Sequence, residues 1–246
     1  MSRSATIRDL PEILEEARLT VLIEPGEHGF TRDSLQTYGF QYELIKRFAD
    51  SLDVELLITC PTGKGDDLRK LEKGKVDVWV ALMPVTSHSE HAVVCLTPII
   101  STRLMLAQPK ASVASKIRKQ YELDGDTICI LKNSSYIERL NDLAEELAIE
   151  PVIVEMKKRS YDDMMDLVQQ GDIKFTICPE YLTEAFKTKY DQVDGSLPLS
   201  LNHDLSWCVN AHAPLLQERL NEFLETFKET NDFRALLKKY SYQVEF

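Results

Sequence analysis

Short apolar runs alternate with helix-forming stretches in two separate parts of the chain. In both parts the predicted order is strand, helix, strand, helix, strand. The segments of the first part are 19–23, 41–52, 54–59, 66–73 and 76–82. Those of the second part are 127–131, 135–147, 152–156, 160–170 and 173–178. Strands that alternate with helices in this way build parallel sheets covered on both faces. The pattern therefore predicts an α/β protein of two lobes.

The predicted helices show both apolar spacing and capping signals. The apolar face of helix 41–52 consists of Leu44, Ile45, Phe48, Ala49 and Leu52, which recur at helical intervals. Ser135 and Ser160 each precede an acidic residue by three positions, as in a capping box. Gly74 and Gly171 follow predicted helices, where a left-handed residue is favoured. These starts and stops agree with the predicted strands on either side.

Ligand binding is expected at the carboxyl ends of the predicted strands, because small molecules bind just outside those ends in α/β folds. Two lobes would leave a crevice, and concave sites of this kind are where ligands usually bind. The predicted fold class is therefore α/β and two-lobed. Each lobe would be a mostly parallel sheet flanked by helices, with a ligand cleft between the lobes.

The composition argues against nucleic-acid binding and against a membrane-spanning segment. The chain has 246 residues, 43% of them hydrophobic, enough for one large core or two modest ones. Its net charge of −11 and pI near 5.0 do not suit phosphate-rich partners, which need a basic surface. No apolar run approaches the roughly 20 residues that span a bilayer. The first residues lack the apolar core of a signal peptide, which leaves a cytosolic protein or a replaced leader as alternatives.

The cysteines and histidines do not form a recognisable metal or cofactor site. The five cysteines are scattered, without a C-x-x-C pair. Because their number is odd and buried cysteines behave as small hydrophobes, no disulfide is predicted. The spacing of His88, Glu90 and His91 differs from the zinc-enzyme helix motif, in which two histidines lie four residues apart. No metal and no cofactor are expected.

Four motifs follow one another in the first half of the chain. They are Gly39–Leu44, Asp77–Ala81, the segment 83–91 and Leu96–Ile100. In order and spacing they resemble the type II periplasmic solute-binding proteins of the amino-acid class, and the likeness extends from Leu10 to Tyr240. The chain is more similar still to the regulatory, solute-binding-like module of membrane-bound lytic transglycosylase F. The segments that carry this second likeness are Gly39–Leu44, Ile173–Cys178, Leu205–Val209, Leu220–Leu224 and Leu237–Tyr240.

The resemblance implies a particular division of the chain. Lobe one would be discontinuous, with residues 1–107 plus 199–246, and lobe two would comprise 108–198. The hinge would lie near 107–110 and 196–200, where Pro109 and Pro198 interrupt the apolar pattern. A helix near the C-terminus would pack on lobe one through an apolar face made of Leu216, Leu220, Phe223, Leu224 and Phe227.

The resemblance also implies that four loops at strand carboxyl ends contact the ligand. The candidate ligand-binding residues are Glu24, Phe30, Met83, Pro84, Thr86, Ser89, Lys132, Ser134, Ser135 and Glu180. Lys132 and Ser135 match family positions that contact ligand anions, and a helix N-terminus at Ser135 would also favour an anion. Two alternatives stay open. Ser135 is equally an ordinary N-cap, and Phe30 is suited to stacking on a ligand or to simple packing.

Both arms of the family's α-amino-acid clamp are altered in this sequence. Thr86 matches the family threonine, but Ser89 stands where the family has an arginine that forks onto a carboxylate. Pro179 stands where amino-acid binders place an aspartate for the ammonium group, and Glu180 is its neighbour. The implied ligand is therefore larger than one amino acid and resembles a peptide or muropeptide.

The chain is predicted to bind without catalysing a reaction. It contains no G-x-S-x-G, Walker or G-x-G-x-x-G motif, and the catalytic glutamate of the transglycosylase family lies in a separate domain that this sequence does not contain. A monomeric periplasmic protein is expected, with lipid anchoring left open, that acts as a sensor or regulatory module for a cell-wall enzyme. The alternatives are an amino-acid receptor of an ABC transporter and, more distantly, a small enzyme of the cyclohexadienyl dehydratase type.

Overall fold

The computed structural model describes most of the chain as two compact units. The described residues are 6–26, 28–61, 67–84, 92–110, 116–132, 134, 136–157, 159–183, 187 and 189–240. Unit 1 takes its residues from Met1–Ile100 and Asp204–Tyr240, and unit 2 from Ser101–His203.

Strands and helices alternate along both units. The strands are β1 (Arg18–Ile23), β2 (Thr31–Arg32), β3 (Thr37–Tyr38), β4 (Glu55–Thr59), β5 (Val78–Pro84), β6 (Val93–Cys95), β7 (Ile100–Thr102), β8 (Leu104–Pro109), β9 (Thr127–Leu131), β10 (Val152–Met156), β11 (Phe175–Pro179), β12 (Val193–Pro198) and β13 (His203–Asn210). The α-helices whose bounds the described residues define are α1 (Leu10–Glu15), α2 (Phe40–Ser51), α3 (Asp67–Glu72), α4 (Tyr136–Leu147), α5 (Tyr161–Gln170), α6 (Pro214–Lys228) and α7 (Asn231–Lys239).

The main sheet of unit 1 has the strand order β4-β1-β5-β13-β6. β1 pairs in parallel with β4 and with β5, whereas β13 is antiparallel to both β5 and β6. The core beside it contains Phe48 of α2 and Leu220 of α6, both fully buried. The ring centroids of Phe48 and Phe223 are 5.4 Å apart. Helix α6 therefore packs within unit 1 through its predicted apolar face.

The sheet of unit 2 has the order β10-β9-β11-β8-β12, with parallel pairing of β9 to β10 and β11 and antiparallel pairing around β8. Because side chains alternate along a strand, β8 contributes to two cores. Leu104 and Leu106 belong to one hydrophobic cluster, and Met105 and Ala107 belong to another. The sheet is thus apolar on both faces at its centre.

The predicted repeat of strands and helices is confirmed, with small shifts at the boundaries. β9 and β10 have the predicted bounds, while α2 begins at Phe40 rather than at 41. The capping box at Ser160 is present, since its Oγ accepts the N–H of Asp163 at 3.2 Å. Gly171 ends α5 with a φ of 80°, the left-handed conformation that glycine adopts most readily.

The boundaries between the two units along the sequence differ from the hinge positions that the prolines indicated. The division falls between Ile100 and Ser101 and between His203 and Asp204, whereas the predicted hinges were near 107–110 and 196–200. Pro109 ends β8 and Pro198 ends β12, and both strands belong to the sheet of unit 2. A proline has no N–H to donate to a ladder, so it interrupts an apolar pattern at a strand end as well as at a hinge.

Asp77, the first residue of one family-like motif, has a structural role. Its carboxylate is buried and accepts the backbone N–H of Thr20 at 2.7 Å and Nε of Arg8 at 3.1 Å. Burial raises the pKa of Asp77, against the lowering effect of these hydrogen bonds. Asp77 therefore ties the N-terminal segment to β1, because an unpaired carboxylate at this depth would be costly.

Candidate functional site

Unit 1 brings four of the candidate residues to one edge of its sheet. β1 and β5 are parallel, with Ile23 opposite Val80, so their carboxyl ends lie at the same edge. Glu24 and Phe30 belong to the loop that follows β1, and Met83 and Pro84 are the last residues of β5. This is the edge where α/β proteins bind small molecules.

The loop after β1 is fixed to the start of α2 by backbone hydrogen bonds. The carbonyls of His28 and Gly29 accept the N–H groups of Gln41 at 3.2 Å and Tyr42 at 3.1 Å. These two N–H groups lie in the first turn of the helix, where no partner exists within the helix itself. The loop therefore satisfies the helix start, and the helix start holds the loop in place.

Phe30 lies partly exposed at the end of this loop. Its ring centroid is 5.9 Å from that of Tyr42, and the Arg32 guanidinium carbon lies 5.6 Å from the Phe30 centroid. A ring between an aromatic and a cation is already positioned by cation–π and aromatic contacts. Packing is therefore one role of Phe30, and its exposed portion remains accessible.

Glu24 places an acidic group at the unit 1 edge. Its side chain reaches solvent, yet the surrounding protein raises its pKa by desolvation, and the charge of Asp67 raises it further. An accessible carboxylate in such a setting gains from a cationic partner, because the cation offsets both effects. Perturbed groups of this kind are concentrated at functional sites.

We expect Glu24→Gln to alter how stability depends on pH. The raised pKa means that the native state binds the proton more tightly than the unfolded chain. Stability therefore falls as pH rises from about 4, the unfolded value, through the native pKa of Glu24. In the variant, the decrease in stability that Glu24 causes as pH rises should be absent. The variant should therefore be more stable than the parent at neutral pH. Urea unfolding from pH 4 to 8 measures this, with Glu218→Gln on exposed helix surface as the matched control. A Glu24→Gln profile parallel to the parent profile would contradict it.

Unit 2 likewise gathers its candidates at one sheet edge. β9 and β11 are parallel, with Phe175 opposite Ile128. Lys132 and Ser134 follow β9, and Glu180 follows β11. The Lys132 side chain is exposed. A cation and a carboxylate therefore stand at the ends of neighbouring strands.

Ser134 caps the helix that follows it. Its Oγ accepts the N–H of Tyr136 at 3.3 Å, and its carbonyl accepts the N–H of Ile137 at 3.3 Å. The hydroxyl is thereby engaged in satisfying the first turn of α4. Its neighbour Ser135, which the sequence predicts as the cap, lies outside the described residues, as do Thr86 and Ser89.

Glu180 is held by Arg103, which sequence reasoning missed. Nε of Arg103 donates to Oε2 of Glu180 at 2.9 Å, and a second guanidinium nitrogen contacts Oε1. The N–H of Glu180 also donates to the carbonyl of Arg103 at 2.8 Å. Such two-pronged pairing fixes the orientation of a carboxylate. The available signal was a single arginine between the apolar runs that became β7 and β8.

A cavity of about 400 Å³ lies within unit 2 next to this ion pair. Its volume is in the range of small-molecule sites. The apolar part of its wall consists of Met105, Ala107, Met165, Cys178, Tyr190 and Val193. Its polar side chains are Arg103, Lys110, Glu180, Thr183, Lys187, Asp194 and Ser196. Among the sequence-predicted site residues that the structure describes, only Glu180 borders this cavity.

The described part of the chain contains neither a candidate metal cluster nor a candidate membrane-spanning helix. No group of three or more His, Cys, Asp or Glu side chains is arranged there to hold a metal ion. The segment with His88, Glu90 and His91 lies outside that part. Within the same described ranges, no helix is both long enough and apolar enough to cross a bilayer.

The sequence profile of the bacterial extracellular solute-binding proteins, family 3, matches residues 19–243. The chain belongs to this family. The resemblance drawn from its motifs is thereby confirmed.

The chain is also similar to curated proteins named membrane-bound lytic murein transglycosylase F. The protein from Desulfosudis oleivorans is 23% identical over 235 residues, which cover 96% of this chain and 51% of that protein. The protein from Pseudomonas fluorescens is 26% identical over 243 residues, which cover 94% of this chain and 47% of that protein. This chain therefore spans about half the length of these relatives.

Solved structures confirm the predicted fold class, that of type II periplasmic binding proteins. An amino acid ABC transporter substrate-binding protein from Streptococcus pneumoniae, bound to L-arginine, matches with a TM-score of 0.77 and 18% identity, covering 95% of this chain and 100% of that one. A solute receptor for L-cysteine from Neisseria gonorrhoeae matches with a TM-score of 0.78 and 16% identity. The match covers 95% of this chain and 93% of that one. At these identities the likeness concerns the fold.

Proposed function

We propose that this chain is a non-catalytic solute-binding module that closes on a small polar ligand, which is a peptide or cell-wall fragment rather than a free α-amino acid. The Arg103–Glu180 ion pair carries the proposal. Glu180 directly follows Pro179, which stands at the family's ammonium-binding position. The Arg103 guanidinium already engages both carboxylate oxygens of Glu180. An α-amino acid would have to displace that cation to use it.

The remaining candidate residues support a ligand with several polar groups. Glu24 in unit 1 favours a cationic group, while Lys132 in unit 2 is exposed and suits an anionic one. Peptides and cell-wall fragments carry both kinds of group, separated by several bonds. The neighbouring cavity of about 400 Å³ is large enough for a side chain or sugar substituent.

We also propose a sensor or regulatory role in a periplasmic or membrane-anchored setting. Its support is the similarity to proteins named as membrane-bound murein enzymes, about half of whose length this chain matches. A cell-wall enzyme is then the proposed partner. Service to an ABC transporter is the second candidate, favoured by the structural match to a transporter's substrate-binding protein.

A thermal-shift screen tests the proposal. Because a ligand that binds only the native state raises the unfolding midpoint by mass action, muropeptides or short peptides should raise it at micromolar concentrations. The screen should also contain the twenty amino acids as a matched set. A shift with one amino acid and none with peptides would favour the transporter receptor. Release of product from a peptide or sugar substrate would overturn the non-catalytic assignment.

A further inference from the structure

Two cysteines outside the candidate site face each other on neighbouring strands of unit 1. Cys95 is the last residue of β6, Cys208 lies in β13, and the strand pairing places them directly opposite. Their Sγ atoms are 3.4 Å apart. We propose that Cys95 and Cys208 are a redox pair that forms an intramolecular cross-strand disulfide.

The strand register suits this bond. The N–H of Leu96 donates to the carbonyl of Trp207 at 2.9 Å, so these two residues form a hydrogen-bonded pair of the antiparallel ladder. Pairs alternate along such a ladder, which makes Cys95 and Cys208 a non-hydrogen-bonded pair. At these positions the Cα atoms approach to about 4.5 Å and the side chains are closest, within the Cα range that a disulfide spans.

The two thiols differ in access, which assigns their roles. Cys208 is buried, whereas Cys95 is partly exposed at the end of β6, which lies at one edge of the sheet order. The hydrogen bond with Cys95, together with burial, raises the pKa of the Cys208 thiol. Since the thiolate is the nucleophile, Cys95 is the thiol that meets an oxidant, and Cys208 completes the bond.

The oxidant would be a disulfide, either a small-molecule one or that of a dithiol oxidoreductase. The Cys95 thiolate attacks one sulfur of it, forms a mixed disulfide and releases the first thiolate. The Cys208 sulfur, on losing its proton, then attacks the Cys95 sulfur and releases the second. Two protein thiols give up two electrons and two protons, and the oxidant leaves as two thiols.

The family setting makes this chemistry available. The matching family is described as extracellular, and disulfides persist in oxidising compartments outside the cytosol. The bond would join residues 113 positions apart in the chain. Closing so long a loop restricts the unfolded chain more than the folded one, so oxidation should stabilise the protein.

Oxidised glutathione, added to the reduced full chain, tests the pair. The number of thiols counted after unfolding should fall from five, the number of cysteines, by two. Peptide mapping should show Cys95 linked to Cys208, and the unfolding midpoint should rise by several degrees. Trp79 lies opposite Cys208 in the pairing of β5 with β13, so its fluorescence should be quenched on oxidation.

Matched variants separate this bond from other thiol chemistry. Cys60→Ser removes an exposed cysteine and should leave the response intact, whereas Cys95→Ser and Cys208→Ala should each abolish the loss of two thiols. If those variants fold poorly, the mapping of the parent chain still decides. Glutathione adducts alone, or links through Cys60 with Cys95 and Cys208 both still reduced, would overturn the proposal.

Discussion

Replacing Gly39 with alanine should lower the free energy of unfolding by about 3 kcal/mol or more, the sum of backbone strain and overpacking. Gly39 has a φ of 138°, a conformation that residues with a side chain rarely adopt. An added Cβ would lie 2.3 Å from the carbonyl oxygen of Gly29 and 2.8 Å from its carbonyl carbon. Both are backbone atoms, so relief requires the loop after β1 to move.

Gly26→Ala is the matched control, because it separates strain from collision. Gly26 has a φ of 125°, and no atom of the residues that the structure describes lies within 4 Å of the position that its Cβ would take. It should therefore lose only the strain contribution, about 1–3 kcal/mol. Urea unfolding followed by circular dichroism measures both variants. Equal decreases in the free energy of unfolding would show that the close approach of Gly39 to Gly29 contributes nothing to the effect of the substitution.

The parent chain should bind a peptide or muropeptide at least about a hundredfold more tightly than any single α-amino acid. The motif resemblance predicts that Ser89 stands at the position of the family arginine, and Arg103 already engages Glu180. An amino acid therefore lacks two charge-assisted hydrogen bonds, each contributing about 1.5–3 kcal/mol. Calorimetry across the twenty amino acids and a set of cell-wall peptides measures the ratio. Sub-micromolar binding of one amino acid with inert peptides would contradict it.

Arg103→Gln tests whether the Arg103–Glu180 ion pair lowers the affinity for α-amino acids. The variant releases the Glu180 carboxylate, so affinity for α-amino acids should rise about tenfold, the effect of one weak charge-assisted bond. Arg139→Gln is the matched control, because Arg139 makes a similar two-pronged pair with Glu146 on the surface of unit 2. It should leave amino-acid binding unchanged. A rise in both variants would indicate a general charge effect.

The order of strands and helices could be read from the sequence because it is encoded locally. Apolar spacing along α2, the capping box at Ser160 and the left-handed Gly171 each depend on neighbours a few residues away. Such signals survive without knowledge of the fold. The motif beginning at Gly39 was also visible, but its reason was not, since Gly29 meets it only in the folded loop.

The division of the chain into two units depends on contacts between distant residues, unlike the order of strands and helices. Pro109 and Pro198 interrupt the apolar pattern, and a missing N–H has the same appearance in sequence at a hinge and at a strand end. Only the pairing of β8 with β12 assigns both prolines to the sheet of unit 2. The sequence alone therefore detected two breaks and could not tell which kind they were.

By itself, the sequence determined the α/β class, the family and the strand ends where a ligand is expected, because periodicity and motif order are properties of the chain. Only the tertiary structure decided which side chains distant in the sequence contact each other. Arg103 meets Glu180 77 positions away, and Cys95 meets Cys208 113 positions away. The two cysteines lie within paired strands, so a register shift of one residue would turn either side chain to the other face of the sheet. Arg103 and Glu180 lie beside the paired ends of β8 and β11, so their contact depends on the pairing of those two strands.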